Sequence, residues 1–123
     1  MASEIRIVVG ALKKFTEQKV RELTLAVTAE LIERTPLDTG WAKNNWVPRI
    51  GKPYEGIAGS RDSVSSAAQV AGQASVLGWK LDKGEINITN NVPYIVPLNE
   101  GHSKQAPAGF VQQAIAAGIK DTA

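Results

Sequence analysis

Apolar residues between Lys13 and Arg34 recur at the spacing of an amphipathic helix. One stripe of this helix contains Leu12, Val20, Leu23, Val27 and Leu31, with Phe15 and Ala26 beside it. The pattern predicts a long helix whose apolar stripe covers a sheet. Pro36 ends this helix, because the preceding residue, Thr35, is disfavoured in the α conformation.

A second apolar stripe, formed by Leu25, Ala29 and Ile32, lies on nearly the opposite side of the same helix. A helix that is apolar on two sides needs two partners, and a small domain has few elements to supply a second one. Two interpretations stay open. The stripe is either partly buried beneath a loop or in contact with another subunit.

Two further segments have the pattern of strands. Glu4–Val9 alternates at its start and then becomes continuously apolar, which predicts a short strand that ends at Gly10. Val76–Thr89 predicts a hairpin in which Trp79 and Leu81 alternate on one side. Its turn is Asp82-Lys83-Gly84, with glycine where a positive φ is expected.

The middle of the chain, from Gly40 to Ser75, is rich in turn residues and alanine. Gly40–Ile50 predicts a helical turn followed by a strand, and Pro48 places that strand at an edge or a bulge because proline has no backbone N–H. Gly51–Ser60 predicts a loop, which we expect to be flexible. Asp62–Ser75 predicts an alanine-rich helix whose N-cap is Asp62 or Ser63.

The C-terminal part predicts a helical turn over Tyr94–Glu100, a loop over Gly101–Gln105 and a short helix over Gly109–Ile119, with Pro107 suited to its first turn. The residues expected to face inward are Phe110, Ala114, Ile115 and Ile119. The whole pattern predicts an α+β fold, in which a long N-terminal helix and shorter helices pack on a small, mainly antiparallel β-sheet. A chain of this length favours a single domain over residues 1–123.

Composition narrows the class of protein. Of the 123 residues, 43% are hydrophobic, which is enough for one core and too many for a disordered chain. The net charge is only +2 and the charges are interspersed, so the balance does not point to nucleic acid. The chain has no cysteine, which excludes disulfides and thiolate metal sites. No segment resembles a membrane span or a signal peptide, so we expect a soluble protein, made in the cytoplasm, that contacts no membrane.

A hydrolytic metal centre is one alternative for the candidate chemistry. Asp38, Glu100 and His102 could converge on a metal ion, although His102 is the only histidine. The simpler interpretation is that Asp38 caps a turn while Glu100 and His102 lie on a surface loop. Neither a His-Glu-x-x-His spacing nor a Gly-x-Ser-x-Gly elbow is present. We therefore expect no catalytic residue, no metal, no cofactor and no enzymatic activity.

A nucleic-acid-binding module is the other alternative. Trp46, Arg49 and Lys52 lie close in sequence, and single-strand binders combine stacking rings with positive grooves. The competing interpretation is that Trp41 and Trp46 anchor the core, with solvated charges between them, and the pattern favours it.

Two separated segments together resemble a known family. The first is Thr35-Pro36-Leu37-Asp38-Thr39-Gly40, with Trp46 six residues further on. The second runs from Asn90-Asn91-Val92-Pro93-Tyr94 through Glu100-Gly101-His102-Ser103 to Gln105-Ala106-Pro107-Ala108-Gly109-Phe110. Their order and spacing resemble the tail-completion, or head–tail joining, proteins of long-tailed bacteriophages, with the minor tail protein Z family of lambda the nearest. The resemblance covers about Lys13 to Ile119 and departs from the pattern at Trp41–Asn45 and at Asn99.

The resemblance implies a structural virion protein of the phage neck or tail end, which completes the tail and joins it to the head without catalytic activity. It also implies a ring homo-oligomer, six-fold like the tail tube, in contact with neck and tail proteins such as a terminator, tube or connector. Such a ring would bring the chain near DNA in the lumen without specific contacts. On this hypothesis the candidate interface residues are Leu25, Ala29, Ile32, Asp38, Tyr54 and His102.

Overall fold

The computed structural model describes residues 2–36, 41–59, 65–101 and 108–123, and for residues 2–12 it describes the backbone alone. These residues form an α+β fold with four α-helices and a two-stranded antiparallel sheet, which confirms the predicted fold class. The elements in chain order are α1 (Ala2–Arg34), β1 (Val47–Ile50), α2 (Ala67–Val76), β2 (Ile86–Thr89), α3 (Ile95–Asn99) and α4 (Phe110–Asp121). One turn of 3-10 helix precedes each strand, at Lys43–Asn45 and at Leu81–Lys83.

The long helix α1 begins at Ala2, so the strand predicted for Glu4–Val9 is wrong. Short apolar segments fit a strand or a helix equally well, and their length alone does not separate the two. Extending an existing helix is much easier than starting one, and the glycine at position 10 costs only about 1 kcal/mol relative to alanine. The helix predicted for Lys13–Arg34 is confirmed, and it ends before Pro36 as expected.

The helix α4 packs along α1, and the two helices contribute most of the main core. A Cβ atom placed on Gly118 would lie 2.5 Å from Val27 Cγ2, so the two backbones approach closely there. The apolar stripe of α1 therefore faces mainly α4, and it contacts the sheet over a smaller area, at β1 and through Ile88, which packs against the cluster that contains Val27 and Leu31. An apolar stripe specifies that a face is buried but not which element buries it. The buried core consists of Val27, Leu31, Ala42, Trp46, Leu98, Phe110 and Ala114.

The sheet is small, and one of its two edges is covered. Strands β1 and β2 pair antiparallel, with Val47 opposite Thr89 and Pro48 opposite Ile88. Helix α2 packs on β1, and a Cβ atom on Gly72 would lie 2.2 Å from Pro48 O. The proline therefore lies at a sheet edge, as its missing N–H predicts.

The hairpin predicted for Val76–Thr89 is wrong, although its glycine behaves as expected. Val76 ends α2, and the Trp79 N–H donates to Val76 O at 3.1 Å, so the first half of the segment closes a helix. The Trp79 indole Nε1 donates to Gly84 O at 2.8 Å, and Gly84 has a φ of 94°. The second half is β2, whose partner is β1. Alternation identifies a strand without identifying the strand that pairs with it.

The helix α2 begins later than predicted. Its N-cap is Ser66, whose Oγ accepts a hydrogen bond from Gln69 N at 3.1 Å. The predicted caps Asp62 and Ser63 are therefore wrong, and both lie outside the described residues. The Ser66 hydroxyl also donates to Asn44 O at 2.7 Å, a tertiary contact that the local pattern does not report.

The C-terminal elements largely follow the prediction. Helix α3 supplies the predicted turn, and α4 supplies the predicted final helix with Phe110 and Ala114 buried. Ile115 and Ile119 are 43% and 53% exposed, so their predicted inward placement is wrong. Gly118 faces α1 instead, because the absence of a side chain there permits the close approach. Most of the predicted loop and Pro107 lie outside the described residues.

Candidate functional site

The two segments that carry the family resemblance meet in the core. Trp46 is buried, and its indole Nε1 donates to Thr35 Oγ1 at 2.7 Å. Phe110, from the second segment, is buried in the same cluster as Trp46. The two segments therefore belong to one packed unit, although more than forty residues separate them in sequence.

A second set of contacts joins the start of the second segment to Trp41 and Ala42, which follow the first segment. Asn90 Nδ2 donates to Ala42 O at 2.8 Å, and the rings of Trp41 and Tyr94 lie 5.9 Å apart in a tilted arrangement. The Asn90 carboxamide also accepts from Val92 N at 3.1 Å, which shapes the turn after β2. The start of the second segment is thus fixed against the end of the first.

Asn99 holds the start of α4 in place. Its Oδ1 accepts from Val111 N at 2.9 Å, and its backbone carbonyl accepts from Gly109 N at 2.7 Å. The N-cap residue of α4, Gly109, has no side chain, so a neighbouring asparagine satisfies a free N–H of the first turn. Asn99 is one of the positions at which the sequence departs from the family pattern, and here it has a clear structural role.

The Asn45 side chain anchors the loop after β1. Asn45 is 2% exposed, its Oδ1 accepts from Ala58 N at 2.7 Å and its Nδ2 donates to Ala58 O at 2.7 Å. One carboxamide thus satisfies both backbone groups of a loop residue that is itself buried. Nδ2 also lies 2.9 Å from Trp41 O, which ties the loop to the end of the first segment.

Two other asparagines anchor the same loop from the β2 side. Asn87 Nδ2 donates to Gly51 O at 2.8 Å, and Asn91 Nδ2 lies 2.9 Å from both Tyr54 O and Gly56 O. We expected this loop to be flexible. The bonds fix residues 51–58 at the start, the middle and the end instead.

Buried polar groups continue beneath the loop. Gln69 is 2% exposed, and its Nε2 donates to Lys43 O at 2.9 Å and Trp46 O at 3.1 Å. This bond pair fixes α2 to the 3-10 turn that precedes β1. Hydrogen bonds therefore connect α2 to the residues directly before β1.

Lys43 closes the C-terminal end of α1. Its Nζ donates to Ile32 O at 2.7 Å and to Glu33 O at 3.0 Å, two carbonyls of the last helical turns. Burial lowers the pKa of the Lys43 ammonium below its ordinary value, and the Glu33 carboxylate opposes that shift only partly. Lys43 thus acts as a structural cation rather than as a free surface charge.

An open groove of about 460 Å³ lies between α2 and the anchored loop. Tyr54 and Arg49 line one side of it, and the α2 side is lined by Ala68, Ala71, Gly72 and Ser75. Arg49 is exposed and Tyr54 is half-buried. The groove therefore presents an aromatic ring and a cation beside a wall of small side chains.

The structure describes four of the six predicted interface residues. Ala29 is exposed, whereas Leu25 is half-buried. Ile32 is half-buried and packs against the main core, so the partial-burial interpretation applies to it. Tyr54 lines the groove. Of the three residues of the second stripe, only Ala29 is exposed.

Of the three residues of the metal alternative, the structure describes Glu100 alone. Asp38 and His102, which are also the other two predicted interface residues, lie outside the described residues. Glu100 is exposed after the last turn of α3. Within the described part of the chain, no three His, Asp or Glu side chains are grouped so that they could hold a metal ion.

Trp46 cannot serve the nucleic-acid alternative as a stacking ring. It is 6% exposed, and its indole N–H is bonded to Thr35. The interpretation of Trp46 as a core anchor is confirmed, and its assignment as a base-stacking residue is wrong. Arg49 and Lys52 are exposed, as charged residues on a solvated surface usually are.

Large apolar side chains remain exposed on every described helix. Those more than half exposed are Phe15, Val70, Leu77, Val96 and Ile119. Val96 borders a second groove, of about 410 Å³, that Ile95 and Val111 also line. Single exposed apolar residues are normal on a protein surface. Val96 differs because it lies beside a groove with other apolar side chains.

Comparison with protein-family models, curated proteins and solved structures gave no match to this chain. Among the helices in the described residues, none is long and apolar enough to cross a membrane.

Sequence reasoning missed the anchoring asparagines. The signal was present, because each asparagine pair stands beside an apolar residue, Asn44-Asn45 before Trp46 and Asn90-Asn91 before Val92. We interpreted Asn90-Asn91 only as the start of the second segment of the family resemblance. Their partners lie up to 48 residues away, so no local pattern could have identified the bonds.

Proposed function

We propose that this chain is a structural subunit of a bacteriophage neck or tail end, which completes the tail and joins it to the head. It works by docking against copies of itself in a ring and against neighbouring neck and tail proteins. No chemical step belongs to this function. The subunit needs a rigid shape and at least two contact surfaces, because a head-to-tail contact closes a ring only when one face fits a different face.

The observation that carries the proposal is the packing of the two motif segments into one unit. Trp46 of the first segment shares a buried cluster with Phe110 of the second, and the Trp46 indole also donates to Thr35. Both segments therefore lie in one folded unit, which supports the proposal.

Anchored loops also suit a docking protein. A preformed surface loses little conformational freedom when it meets a partner, so more of the contact energy appears as affinity. The loop that carries Tyr54 is held by Asn45, Asn87 and Asn91. It is one of the surfaces that we propose for contact with neighbours.

The second α1 stripe gives a sharp test of the ring contact. Ala29 is exposed on α1, so Ala29→Arg adds a long cation there without disturbing the core. If the stripe is an interface, we expect the variant to fold normally and to form rings at least tenfold less readily. Native mass spectrometry over a concentration series, alone and with tail-tube or connector protein, measures the change.

Ala116→Arg is the matched control, because Ala116 is exposed on α4 and lies outside the stripe. It adds the same side chain to a helix surface and should leave ring formation unchanged. Equal ring formation by the Ala29 variant and the natural chain would remove the stripe from the proposal. Leu25→Asp and Ile32→Asp are weaker tests, since both residues are half-buried and the second packs on the core.

The phage role itself is tested on particles and on gene order. We expect adjacent genes for portal, capsid, tail terminator and tail tube proteins, and density for this subunit between capsid and tail. A particle reconstruction without the subunit at that junction would contradict the role. So would turnover of a small molecule that is lost on replacement of Asp38 or His102.

A further inference from the structure

Among the described residues, no strand pairs with the outer edge of β2. Two independent observations identify which backbone groups point outward. Gly51 N donates to Glu85 O at 2.8 Å, which makes this a hydrogen-bonded pair of the antiparallel ladder. Hydrogen-bonded and non-bonded pairs alternate along such a ladder. The backbone groups of Ile86 and Ile88 therefore point away from β1.

Pro48 gives the same answer from the opposite strand. It faces Ile88, and proline has no N–H to give to a ladder. The pair of Pro48 and Ile88 is therefore a non-bonded one, and the N–H and C=O of Ile88 face outward. Among the hydrogen bonds of the described residues, none involves these outward groups of Ile86 or Ile88.

The two edges of the sheet differ in the features that block pairing with another strand. The β1 edge contains Pro48 and is covered by α2 at Gly72. The β2 edge contains neither proline nor a charged residue between Ile86 and Thr89, and its residues are half-buried. Natural proteins usually block an open edge with charge, proline or a covering element. An edge without these devices is a template for another strand.

We propose that the outer edge of β2 pairs with β2 of a second copy of this chain, antiparallel about a twofold axis at Asn87. Ile86 then lies opposite the partner's Ile88, and Ile88 opposite the partner's Ile86. Each of these two pairs exchanges both of its outward N–H···O=C bonds. The result is a continuous four-stranded sheet across two copies.

The sequence of β2 favours its own copy as the occupant of the edge. In the proposed register the outward-pointing residues are the two isoleucines, so every outward donor meets an outward acceptor and apolar side chains stand opposite apolar ones. Glu85 stands opposite the partner's Thr89, so no like charges face each other. If the register shifts by two residues, only one isoleucine stands opposite an isoleucine, which is the same residue of the partner. The other isoleucine then loses its apolar partner.

A single engineered cysteine tests both the pairing and the register. The chain has no cysteine, so Asn87→Cys can form a disulfide only between copies. On the axis, two residues of a non-bonded pair have Cα atoms about 4.5 Å apart, within the range of a disulfide. We expect the oxidised Asn87→Cys protein to be mainly a covalent dimer at high micromolar concentration.

Glu85→Cys is the matched control, because Glu85 precedes the same strand and is exposed. In the proposed register its Cα lies four residues, or roughly 14 Å, from the same atom of the partner, which no disulfide can span. At least tenfold less cross-linking than in Asn87→Cys supports the register. Equal cross-linking of both variants, or none in either, overturns the proposal.

Hydrogen exchange on the unmodified chain is a second measurement, which does not depend on any variant folding. The Ile86 and Ile88 amides should exchange more slowly as protein concentration rises. The Asn87 amide faces β1 and should exchange at the same rate throughout. Rates at Ile86 and Ile88 that do not depend on concentration would overturn the proposal.

This contact is independent of the neck role. An antiparallel twofold pair closes at two copies, whereas a ring needs a head-to-tail contact. The cross-link at Asn87 and the ring test at Ala29 therefore succeed or fail separately. A four-residue strand makes a small interface, so we expect a weak dimer that forms at high local concentration.

Discussion

At the scale of single residues, Asn45 connects the loop after β1 to the residues that precede β1. It is buried and satisfies both backbone groups of Ala58, which is also buried. Leaving a buried donor or acceptor without a partner costs about 1–3 kcal/mol. Asn91 makes a similar pair of bonds to the same loop but is exposed, so water can replace it.

We therefore predict unequal effects from the same substitution at these two positions. Asn45→Ala should lower the free energy of unfolding by about 2–4 kcal/mol, because two buried backbone groups lose their partner. Asn91→Ala should lower it by less than about 1 kcal/mol, since Asn91 is exposed and water can take the place of its side chain. Urea denaturation of both variants measures the difference. Equal losses would show that the Ala58 groups find other partners.

Residue roles were predictable where burial alone decides them. Trp46 was expected in the core, since an aromatic residue next to a strand is usually buried, and it is there. The role of Asn45 was not predictable, because an asparagine in a turn sequence is compatible with solvent exposure or with burial. Its partner, Ala58, is selected by the fold and not by any spacing in the sequence.

At the scale of elements, glycines set how closely the helices pack. Helix α2 approaches β1 at Gly72, where a Cβ atom would lie 2.2 Å from Pro48 O, much closer than carbon and oxygen can come. Gly78 follows the end of α2, and the nearest atom to a Cβ there is Ser75 O at 3.8 Å. A Cβ atom therefore has no room at Gly72 but fits at Gly78.

We predict opposite outcomes for alanine at these two glycines. Gly72→Ala gains about 1 kcal/mol of helix propensity but forces α2 away from β1, so a net loss of about 1–3 kcal/mol in the free energy of unfolding is expected. Gly78→Ala should be neutral or stabilising by up to about 1 kcal/mol. Thermal and urea unfolding of both variants measure this. A Gly72→Ala protein as stable as the natural chain would mean that α2 can shift without cost.

Elements were predictable from sequence where their signal is local. The apolar repeat from Lys13 to Arg34 and the proline after it defined the end of α1 correctly. The signal failed where a tertiary partner decides. Glu4–Val9 became helical because α1 continues through it, and β2 paired with β1 instead of its nearer neighbour in sequence.

At the scale of the whole molecule, the loop after β1 is connected to the core rather than attached beside it. The Ala58 N–H bonds to Asn45, which is buried next to Trp46. Breaking that bond therefore requires disturbing the packed unit of the two motif segments. Loops without such bonds open locally at little cost in free energy.

We accordingly predict slow hydrogen exchange at Ala58, although it lies in no helix or strand. Its protection should approach that of amides in the centre of α1, which report global unfolding. Glu55, in the same loop, is exposed and is the internal reference for rapid exchange. Exchange at Ala58 as fast as at Glu55 would contradict the rigid connection.

The asparagines that hold this loop carry no charge, and that has a consequence for the conditions under which the molecule keeps its shape. Carboxamides neither gain nor lose a proton across the ordinary range of acidity, and dissolved ions weaken them far less than they weaken ion pairs. The ion pair of Glu30 and Arg34, in which the guanidinium lowers the pKa of the Glu30 carboxyl, lies on α1 instead. Low pH or high salt would therefore weaken the ion pair on the surface of α1 while leaving the conformation of the loop around Tyr54 unchanged.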